Sequence, residues 1–278
     1  MTFAAPSPRA WAHGVPRCVF ISGGSSGIGR ELGILLARCG ADVAIFNRSL
    51  APGAVAAIRA HAIRPDQRIR CYAADVSDEA AIASAVERAV ADLGSPDLCI
   101  HSAGVLAAAP FEELDGATFT RVIGVNLIGA RHFASAVLRH MRRGSHLTLI
   151  ASMAGLVGSF AYAAYGASKF GVVGLAEVLR IEQRLRGIDI SVCCPAELPT
   201  PMVTEERKTL HPAAAALKDF VGTMPLEAAC AEMLAGMARR RFMIVPGLMP
   251  RLSAWFARHM PGALRKISDF VVDRAIAR

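Results

Sequence analysis

Short, wholly apolar runs alternate along the chain with longer segments whose apolar residues recur at helical spacing. The longer segments repeat an apolar residue every three or four positions, as at Ile82, Val86 and Ala89, and predict amphipathic helices. The apolar runs predict strands that are buried on both faces. These strands are residues 18–22, 42–46, 69–73, 97–101, 147–152, 190–195 and 242–246. The alternation predicts an α/β fold, a Rossmann-type doubly wound parallel sheet of about seven strands with helices on both faces.

The 278 residues are enough for one large α/β domain. We predict that this domain covers residues 17–247 and includes a substrate lobe around residues 196–240. The Ala- and Pro-rich residues 1–16 are expected to form a flexible tail, and residues 248–278 a basic, amphipathic helical extension. No apolar run reaches the length of a membrane-spanning helix, and the N-terminus lacks the pattern of a signal peptide, so we expect a cytoplasmic protein.

The net charge of +8 is concentrated at the C-terminal end. Residues 239–278 contain nine basic and two acidic side chains, and they carry two apolar stripes at helical spacing. The stripes consist of Leu252, Trp255, Phe256, Leu264, Ile267, Phe270 and Val271. Two interpretations stay open: residues 250–278 contact a membrane surface from the cytoplasmic side, or they pack on the substrate lobe or a partner subunit. Nothing resembles a nucleic-acid-binding module, so no nucleic-acid partner is predicted.

The seven cysteines show no pattern that suggests a disulfide framework or a metal centre. Their number is odd, no pair has the Cys-x-x-Cys spacing, and several fall within predicted buried strands. We therefore predict no metal site and interpret these residues as small apolar core residues in a reducing compartment.

A glycine-rich loop follows the first predicted strand. It consists of Ser22, Gly23, Gly24, Ser25, Ser26, Gly27, Ile28 and Gly29. Gly23 suits a tight turn, Gly27 lets the backbone approach a pyrophosphate, and Gly29 lets the next helix pack closely on the strand. The N-terminus of that helix offers free N–H groups to the phosphates. The loop therefore predicts a dinucleotide-binding site.

The end of the second predicted strand bears on which dinucleotide binds. An acidic residue there would bind the adenosine ribose 2′-hydroxyl of NAD, but the chain has Asn47 and Arg48 instead. The guanidinium of Arg48 suits a 2′-phosphate. We therefore predict NADP(H) rather than NAD(H); the alternative is that Arg48 is a solvated loop residue.

A candidate proton-transfer group lies in the second half of the chain. Tyr165 and Lys169 are four residues apart and share a face of a predicted helix. An ammonium near a phenol favours the phenolate, so we expect the pKa of Tyr165 to be lowered from its usual value near about 10. Ser152 ends the fifth predicted strand, where a substrate carbonyl would lie, and Asn126 is on the preceding helix. Together with the glycine loop, these residues predict an acid/base centre.

With these motifs the chain resembles the short-chain dehydrogenase/reductase family over about residues 16–247. The matching segments are Ser22, Gly23, Gly27, Ile28 and Gly29 for the cofactor loop, Asp75 and Val76 for the adenine-binding pair, Ser102, Ala103 and Gly104 for most of an Asn-Asn-Ala-Gly motif, Asn126, Ser152, Tyr165 and Lys169 for the catalytic tetrad, and Pro195, Leu198 and Thr200 in the carboxamide-binding segment. His101 and Ser102 replace the two asparagines and Ala196 replaces a glycine.

The resemblance implies a role for each member of the tetrad. Tyr165 would protonate a carbonyl oxygen while hydride arrives at the carbon, and Ser152 would polarise that carbonyl. Lys169 would bind the nicotinamide ribose and act on Tyr165, and Asn126 would anchor a water of a proton relay. The family also implies a homo-oligomer, a dimer or tetramer, formed through long helices.

The segment after the sixth predicted strand is similar to the 3-ketosphinganine reductase branch of the family. The resemblance lies in residues 195–202 and 205–209 together with the Gly-Gly-Ser-Ser loop. It implies NADPH-dependent reduction of a lipid-like 2-amino ketone. Glu197 would then pair with the substrate ammonium; the alternative is a solvated loop carboxylate. A 3-oxoacyl or hydroxysteroid-type oxidoreductase and a non-catalytic NADP(H)-binding regulator remain as other functions.

Overall fold

A computed structural model describes residues 6–277 of the chain and contains a parallel, seven-stranded sheet. The strands are β1 (Cys18–Ser22), β2 (Asp42–Asn47), β3 (Ile69–Ala73), β4 (Leu98–His101), β5 (His146–Ile150), β6 (Asp189–Cys193) and β7 (Met243–Ile244). Their order is β3-β2-β1-β4-β5-β6-β7, and each neighbouring pair is parallel. The doubly wound fold class is therefore confirmed, and the predicted strand ends are correct to within two residues.

Helices cover both faces of the sheet. They are α1 (Gly27–Arg38), α2 (Pro52–Arg59), α3 (Glu79–Leu93), α4 (Gly116–Ile123), α5 (Gly129–Leu138), α6 (Ala163–Gln183), α7 (Pro201–Glu206), α8 (Pro212–Val221), α9 (Leu226–Ala238), α10 (Leu248–His259) and α11 (Pro261–Ile276). One apolar cluster packs α3, α5 and α6 against the sheet, and a second packs α1, α2 and α9 against the opposite face. Burial on both faces explains why the inner strands are nearly continuous apolar runs. The edge strand β3 differs from the expectation, because Arg70 and Ala73 are exposed.

The order of the strands in the sheet determines where a ligand can bind. The strand order changes direction between β1 and β4, and all strands point the same way, so their carboxyl ends meet at one edge. In sheets of this kind the crevice at that edge receives the ligand.

Part of the predicted flexible tail is packed. Residues 1–5 lie outside the described part, but Pro8–Ala10 form one turn of 3-10 helix and Trp11 is buried in the second apolar cluster. The amide of Ala12 donates to the carbonyl of Ala238 at 2.9 Å. The large aromatic side chain of Trp11 covers apolar surface and holds this stretch to α9. The Ala- and Pro-rich composition did not predict this packing.

The C-terminal extension is helical, as predicted, and α11 packs on α8 and α10. The break at Pro261 falls where the two predicted apolar stripes separate. Within residues 6–277, every helix is too short or too polar to cross a membrane.

Candidate active site

One large cavity, of about 630 Å³, opens at the carboxyl edge of the sheet. Eighteen residues predicted for the site line it: Gly23, Ser25, Ser26, Gly27, Ile28, Arg48, Asp75, Val76, Ser102, Ala103, Gly104, Ser152, Tyr165, Lys169, Pro195, Glu197, Leu198 and Thr200. The other three, Ser22, Gly29 and Asn126, lie behind the wall and support it. Residues from seven separate segments of the sequence therefore meet at one surface because parallel strands deliver them to the same edge.

The glycine loop leaves no room for larger side chains. A Cβ on Gly23 would lie 2.6 Å from the Ala103 amide nitrogen, and a Cβ on Gly29 would overlap the carbonyl of Gly23. Gly27 has a φ of +51°, a conformation that side chains disfavour, and it begins α1. The result is a backbone cradle at a helix N-terminus, which fits the pyrophosphate of a dinucleotide.

The adenosine side of the cavity is formed by the ends of β2 and β3. Asn47 accepts a hydrogen bond from the Ser25 amide at 3.0 Å, so its side chain braces the glycine loop. Arg48 is exposed and borders the cavity. Partial burial raises the pKa of Asp75, but hydrogen bonds from Ser77 and the charge of Arg48 outweigh it, and the net shift is downward. Asn47 was not predicted as a site residue, although it stands at the strand end where NAD-binding proteins have an acidic residue.

His101 is a buried structural residue. Its Nδ1 lies 2.8 Å from the Ser22 hydroxyl oxygen, which joins the ends of β1 and β4 in place of the asparagine contacts of the family. Burial, followed by the charge of Lys169, lowers the pKa of His101 from 6.5 to about 3. The imidazole is therefore neutral at physiological pH.

The residues predicted to transfer a proton lie around the start of α6. Tyr165 and Lys169 lie on one face, with the Lys169 Nζ 5.6 Å from the centre of the Tyr165 ring. The ammonium donates a hydrogen bond to the Ile150 carbonyl at 2.9 Å, which fixes it against the end of β5. Ser152 follows that strand, and its hydroxyl accepts a hydrogen bond from the Ala154 amide at 3.2 Å. A substrate carbonyl placed between Ser152 and Tyr165 would meet two hydroxyl donors.

The pKa of Tyr165 differs from the expectation. Burial raises it from 10 to about 12, a hydrogen bond with Ser152 opposes the shift, and the charge of Glu206 adds to it. Burial also lowers the pKa of Lys169 from 10.5 to about 8. The predicted lowering of the phenol pKa was wrong because the site removes both groups from water, and this desolvation outweighs an ammonium that lies beyond hydrogen-bond distance. The phenol is thereby kept protonated, the form that a proton donor requires.

Asn126 lies in a short π-helical segment, Gly124–Ile128, between α4 and α5. Its side chain accepts a hydrogen bond from the Val105 amide at 2.8 Å and donates to the Val105 carbonyl at 2.9 Å and to the Ser168 hydroxyl at 3.0 Å. Such π-helical turns often mark functional positions. In this structure Asn126 connects the loop after β4 to α6 through Ser168, the residue that precedes Lys169.

Glu197 is not a solvated loop carboxylate. Its side chain is 6% exposed, and its two oxygens lie 2.6 Å from Arg207 Nη2 and 2.7 Å from Lys218 Nζ. The Lys218 ammonium also lies 2.6 Å from a carboxylate oxygen of Glu206. The Glu206 side chain is 4% exposed and accepts a hydrogen bond from the Tyr162 hydroxyl. Glu197 therefore has cationic partners within the protein, and a substrate ammonium would have to compete with them.

These contacts form an ion cluster, which we define as Glu197, Glu206, Arg207, Lys218 and Tyr162. The cluster borders the cavity, and the Tyr162 ring lies 5.8 Å from that of Tyr165. It joins the loop after β6 to α7, α8 and the start of α6. Of its members only Glu197 was singled out as a site residue, because no spacing rule relates segments that are this far apart in the chain.

The C-terminal extension contributes to the cavity. Ser253 of α10 and four residues of α11 line it: Leu264, Ile267, Ser268 and Val271. Packing on the substrate lobe, one of the two interpretations of this segment, is thus observed, and it does not decide whether the outer face meets a membrane.

The sequence model of the short chain dehydrogenases matches residues 17–211. The chain belongs to this family. The match includes the glycine loop and the tetrad but ends before α8, so the helices that close the far side of the cavity lie outside the matched region.

Two relatives and one solved structure illustrate the likeness. The 3-ketodihydrosphingosine reductase of Bos taurus is 33% identical over 196 residues, which is 69% of this chain and 59% of the relative. The 3-dehydrosphinganine reductase TSC10B of Arabidopsis thaliana is 30% identical over 274 residues, 92% of this chain and 81% of the relative. The crystal structure of levodione reductase is 28% identical, with a TM-score of 0.75, and covers 82% of this chain and 95% of its own. The chain thus spans little more than half the length of the cattle protein.

Proposed function

We propose that the protein is an NADPH-dependent ketoreductase that acts on a lipid-like ketone, with 3-ketosphinganine, a long-chain 2-amino ketone, as the favoured substrate. The main observation in favour of this activity is that Tyr165, Ser152 and Lys169 line the same cavity as the glycine loop. The substrate rests on the similarity to two reductases named for this ketone.

The residues around the cavity fit a nicotinamide dinucleotide. Gly23, Gly27 and the N-terminus of α1 would hold the pyrophosphate, because a Cβ at Gly23 would collide with the Ala103 backbone and the first amides of a helix are free to donate to phosphates. Asp75 and Val76 would hold the adenine. Further contacts are assigned to Ser102, Ala103, Gly104, Lys169, Pro195, Leu198 and Thr200. When bound, reduced nicotinamide supplies the hydride for the carbonyl carbon.

The protein supplies the proton and the electrostatic stabilisation. The Tyr165 hydroxyl donates its proton to the carbonyl oxygen as negative charge develops there, and the Ser152 hydroxyl donates a second hydrogen bond to the same oxygen. The nearby Lys169 ammonium favours the resulting phenolate. Asn126 keeps the π-helical segment against α6 so that this geometry is preserved. Hydride at carbon and proton at oxygen together convert the ketone to a secondary alcohol.

Arg48 supports the preference for NADPH. It borders the cavity at the end of β2, where Asn47 rather than a carboxylate stands. A guanidinium pairs strongly with a phosphate. We expect Arg48→Ala to raise the KM for NADPH by about 10-fold, the effect of about 1.4 kcal/mol, with little change for NADH. Arg70, an exposed residue on β3 paired with Asp92, is a matched control. Equal effects on both cofactors would contradict the assignment.

A substrate panel tests the main proposal against its alternatives. NADPH oxidation is measured with 3-ketosphinganine, a 3-oxoacyl thioester and a steroid ketone, and the first should give the highest kcat/KM. A marked preference for either of the others would identify a 3-oxoacyl or hydroxysteroid-type oxidoreductase. Tight NADPH binding with no turnover of any ketone would instead support a non-catalytic regulator.

Glu197 is proposed to contact the substrate ammonium, sharing its carboxylate with Arg207 and Lys218. Since Glu206 belongs to the same cluster, Glu206→Gln is the matched control. Glu197→Gln should impair reduction of an amino ketone far more than reduction of a neutral ketone of the same length. Equal losses on the two substrates would show that Glu197 has a structural role only.

The outer face of α10 supports peripheral contact with a membrane. Leu252 and Trp255 are about half-exposed there, and Arg258 is an exposed basic neighbour that suits anionic lipids, whereas Arg251 pairs with Glu232. We expect the protein to float with vesicles that contain phosphatidylserine, and the double variant Leu252→Glu/Trp255→Glu to lose most of this binding. Leu185→Glu, an exposed apolar residue after α6, is the control. Unchanged flotation of the double variant would exclude α10 as the contact.

A homo-oligomer, dimer or tetramer, is proposed through α6. Phe170, Val178 and Ile181 lie along one side of this helix and are each about half-exposed or more. Exposed apolar stripes of this kind mark protein contacts. Sedimentation should show a dimer or tetramer that Ile181→Asp dissociates, and a wild-type monomer at micromolar concentration would contradict the proposal.

A further inference from the structure

We propose that the inward face of α11 is one wall of a channel for a long alkyl chain, and that this helix selects substrates by chain length. The inference deepens the proposed function and rests on it for the identity of the reacting ketone. Its starting point is that Leu264, Ile267 and Val271 line the same cavity as Tyr165. Their spacing, with Ser268 between them, places them on a single helical face.

The packing of α11 leaves space beside this face. The helix lies against α8, yet none of its described residues is fully buried. An apolar stripe packed tightly on a neighbouring helix would normally lose nearly all contact with solvent. Leu264 and Val271 remain only partly buried because they face the cavity instead of filling it. The space beside this face arises from how α11 packs on the rest of the protein, and the apolar stripe of α11 alone would not predict it.

The adjoining wall is apolar as well. Leu217, Phe220 and Val221 of α8 line the cavity, and Phe220 is more than half exposed, which places it where the cavity opens to solvent. Two apolar walls from α8 and α11 thus border an open space that is continuous with the site of Tyr165. Burial of a hydrocarbon chain against both helices would remove apolar surface from water on all three partners.

The charge distribution identifies the class of ligand. The cavity-lining residues of α10 and α11 within the described chain are uncharged, whereas Arg265 and Lys266 of α11 are exposed. A phosphate-bearing arm would pair with cations, which the cavity offers at Arg121 and Lys218 but not on α10 or α11. The wall therefore suits a neutral alkyl chain, while the ion cluster at Lys218 provides the polar surroundings near the reacting end.

The channel wall lies outside the region that the family's sequence model covers, which ends at residue 211. The reacting groups come from the matched region, and α8 and α11 come from the segment after it. Chain-length selection is thereby assigned to a part of this chain that is separate from the catalytic tetrad, so the two can be altered independently.

The test compares 2-amino-3-ketones with octyl, dodecyl and octadecyl chains. Each methylene that enters the channel should raise kcat/KM by about fourfold, the effect of about 0.8 kcal/mol per buried methylene. Val271→Trp, which fills the channel, should abolish most of this gain. Ile276→Trp, at an exposed position of the same helix, is the matched control. Thermal unfolding and NADPH affinity show whether each variant is folded.

A second measurement separates the channel from the reaction. Binding of a dodecylamine with a fluorescent label is followed directly, and Val271→Trp should weaken it at least 10-fold while Ile276→Trp leaves it unchanged, a loss of about 1.4 kcal/mol or more. Weakened binding without turnover of any amino ketone would overturn the proposed function and retain the channel. Unaltered binding, or equal loss of kcat/KM at every chain length in Val271→Trp, would overturn the channel. If Val271→Trp is unfolded, Leu264→Trp replaces it with the same expected outcomes.

Discussion

Replacing Lys218 by Met should destabilise the protein strongly, because this one ammonium separates two buried carboxylates. Its Nζ lies 2.7 Å from a Glu197 oxygen and 2.6 Å from a Glu206 oxygen. The three side chains are 14%, 6% and 4% exposed, in that order. Methionine has a similar length and fills the same volume, so the change removes the charge with little loss of packing.

The burial of the partners sets the magnitude. Removing one member of a buried ion pair costs about 3–5 kcal/mol, since the remaining charge is left unpaired away from water. Arg207 and the Tyr162 hydroxyl still contact the two carboxylates, so we expect a loss near the lower limit, about 3 kcal/mol. Lys208 provides a matched control: it pairs with Glu205, but these side chains are 63% and 75% exposed. Lys208→Met should cost about 0–1 kcal/mol.

The free energy of unfolding is measured by urea titration at neutral pH, followed by far-ultraviolet circular dichroism. Adding Glu206→Gln to Lys218→Met should recover part of the loss, because one of the two uncompensated charges is removed. If Lys218→Met and Lys208→Met lose the same free energy, the cluster behaves as a solvated surface pair and the reasoning is refuted. The same conclusion follows if Glu206→Gln adds to the damage.

Three further predictions concern the reaction and the pH dependence. Tyr165→Phe should lower kcat by at least about 10²-fold and leave the Kd for NADPH unchanged in a fluorescence titration; unaltered turnover would exclude Tyr165 as the proton donor. Because the pKa of Lys169 is about 8, kcat/KM for reduction should fall as pH rises through that value, and Lys169→Arg should remove this fall; an identical profile in both proteins would contradict the assignment. Buried His101 stays neutral down to about pH 3, whereas the unfolded chain binds a proton below its usual pKa of 6.5. Stability should therefore be complete above pH 6.5 and decrease between pH 6.5 and 3, by on the order of a few kcal/mol. His101→Asn should show a smaller decrease in denaturant titrations across that range; the same decrease in both proteins would mean that His101 is solvated.

The local features of the molecule were readable from the chain. The seven strands follow from apolar runs, and the glycine loop and the Tyr165–Lys169 spacing follow from short-range geometry. The placement of these motifs in one cavity then follows from the parallel sheet, since its strands end at a common edge. Each of these inferences depends on residues that are close together or on a rule that holds for every doubly wound sheet.

The burial of individual side chains could not be predicted from the sequence. The pKa of Tyr165 was expected to fall because Lys169 is near in sequence, but it rises because the surrounding elements bury the phenol. Trp11 was placed in a flexible tail, but it packs into the core against elements far along the chain. Burial is a property of the whole arrangement, so a short-range pattern carries little information about it.

The amino-acid sequence by itself determined the doubly wound sheet, the cradle at Gly23 and the Tyr165–Lys169 spacing, because these depend on periodicity and on nearest neighbours. The roles predicted for Asn126 and Ser152 came from the resemblance to the family. The tertiary structure alone decided that Glu197 meets Lys218 and that α11 faces the cavity. Those contacts join segments whose separation along the chain has no fixed relation to their distance in space, and the compact packing of the substrate lobe brings them together.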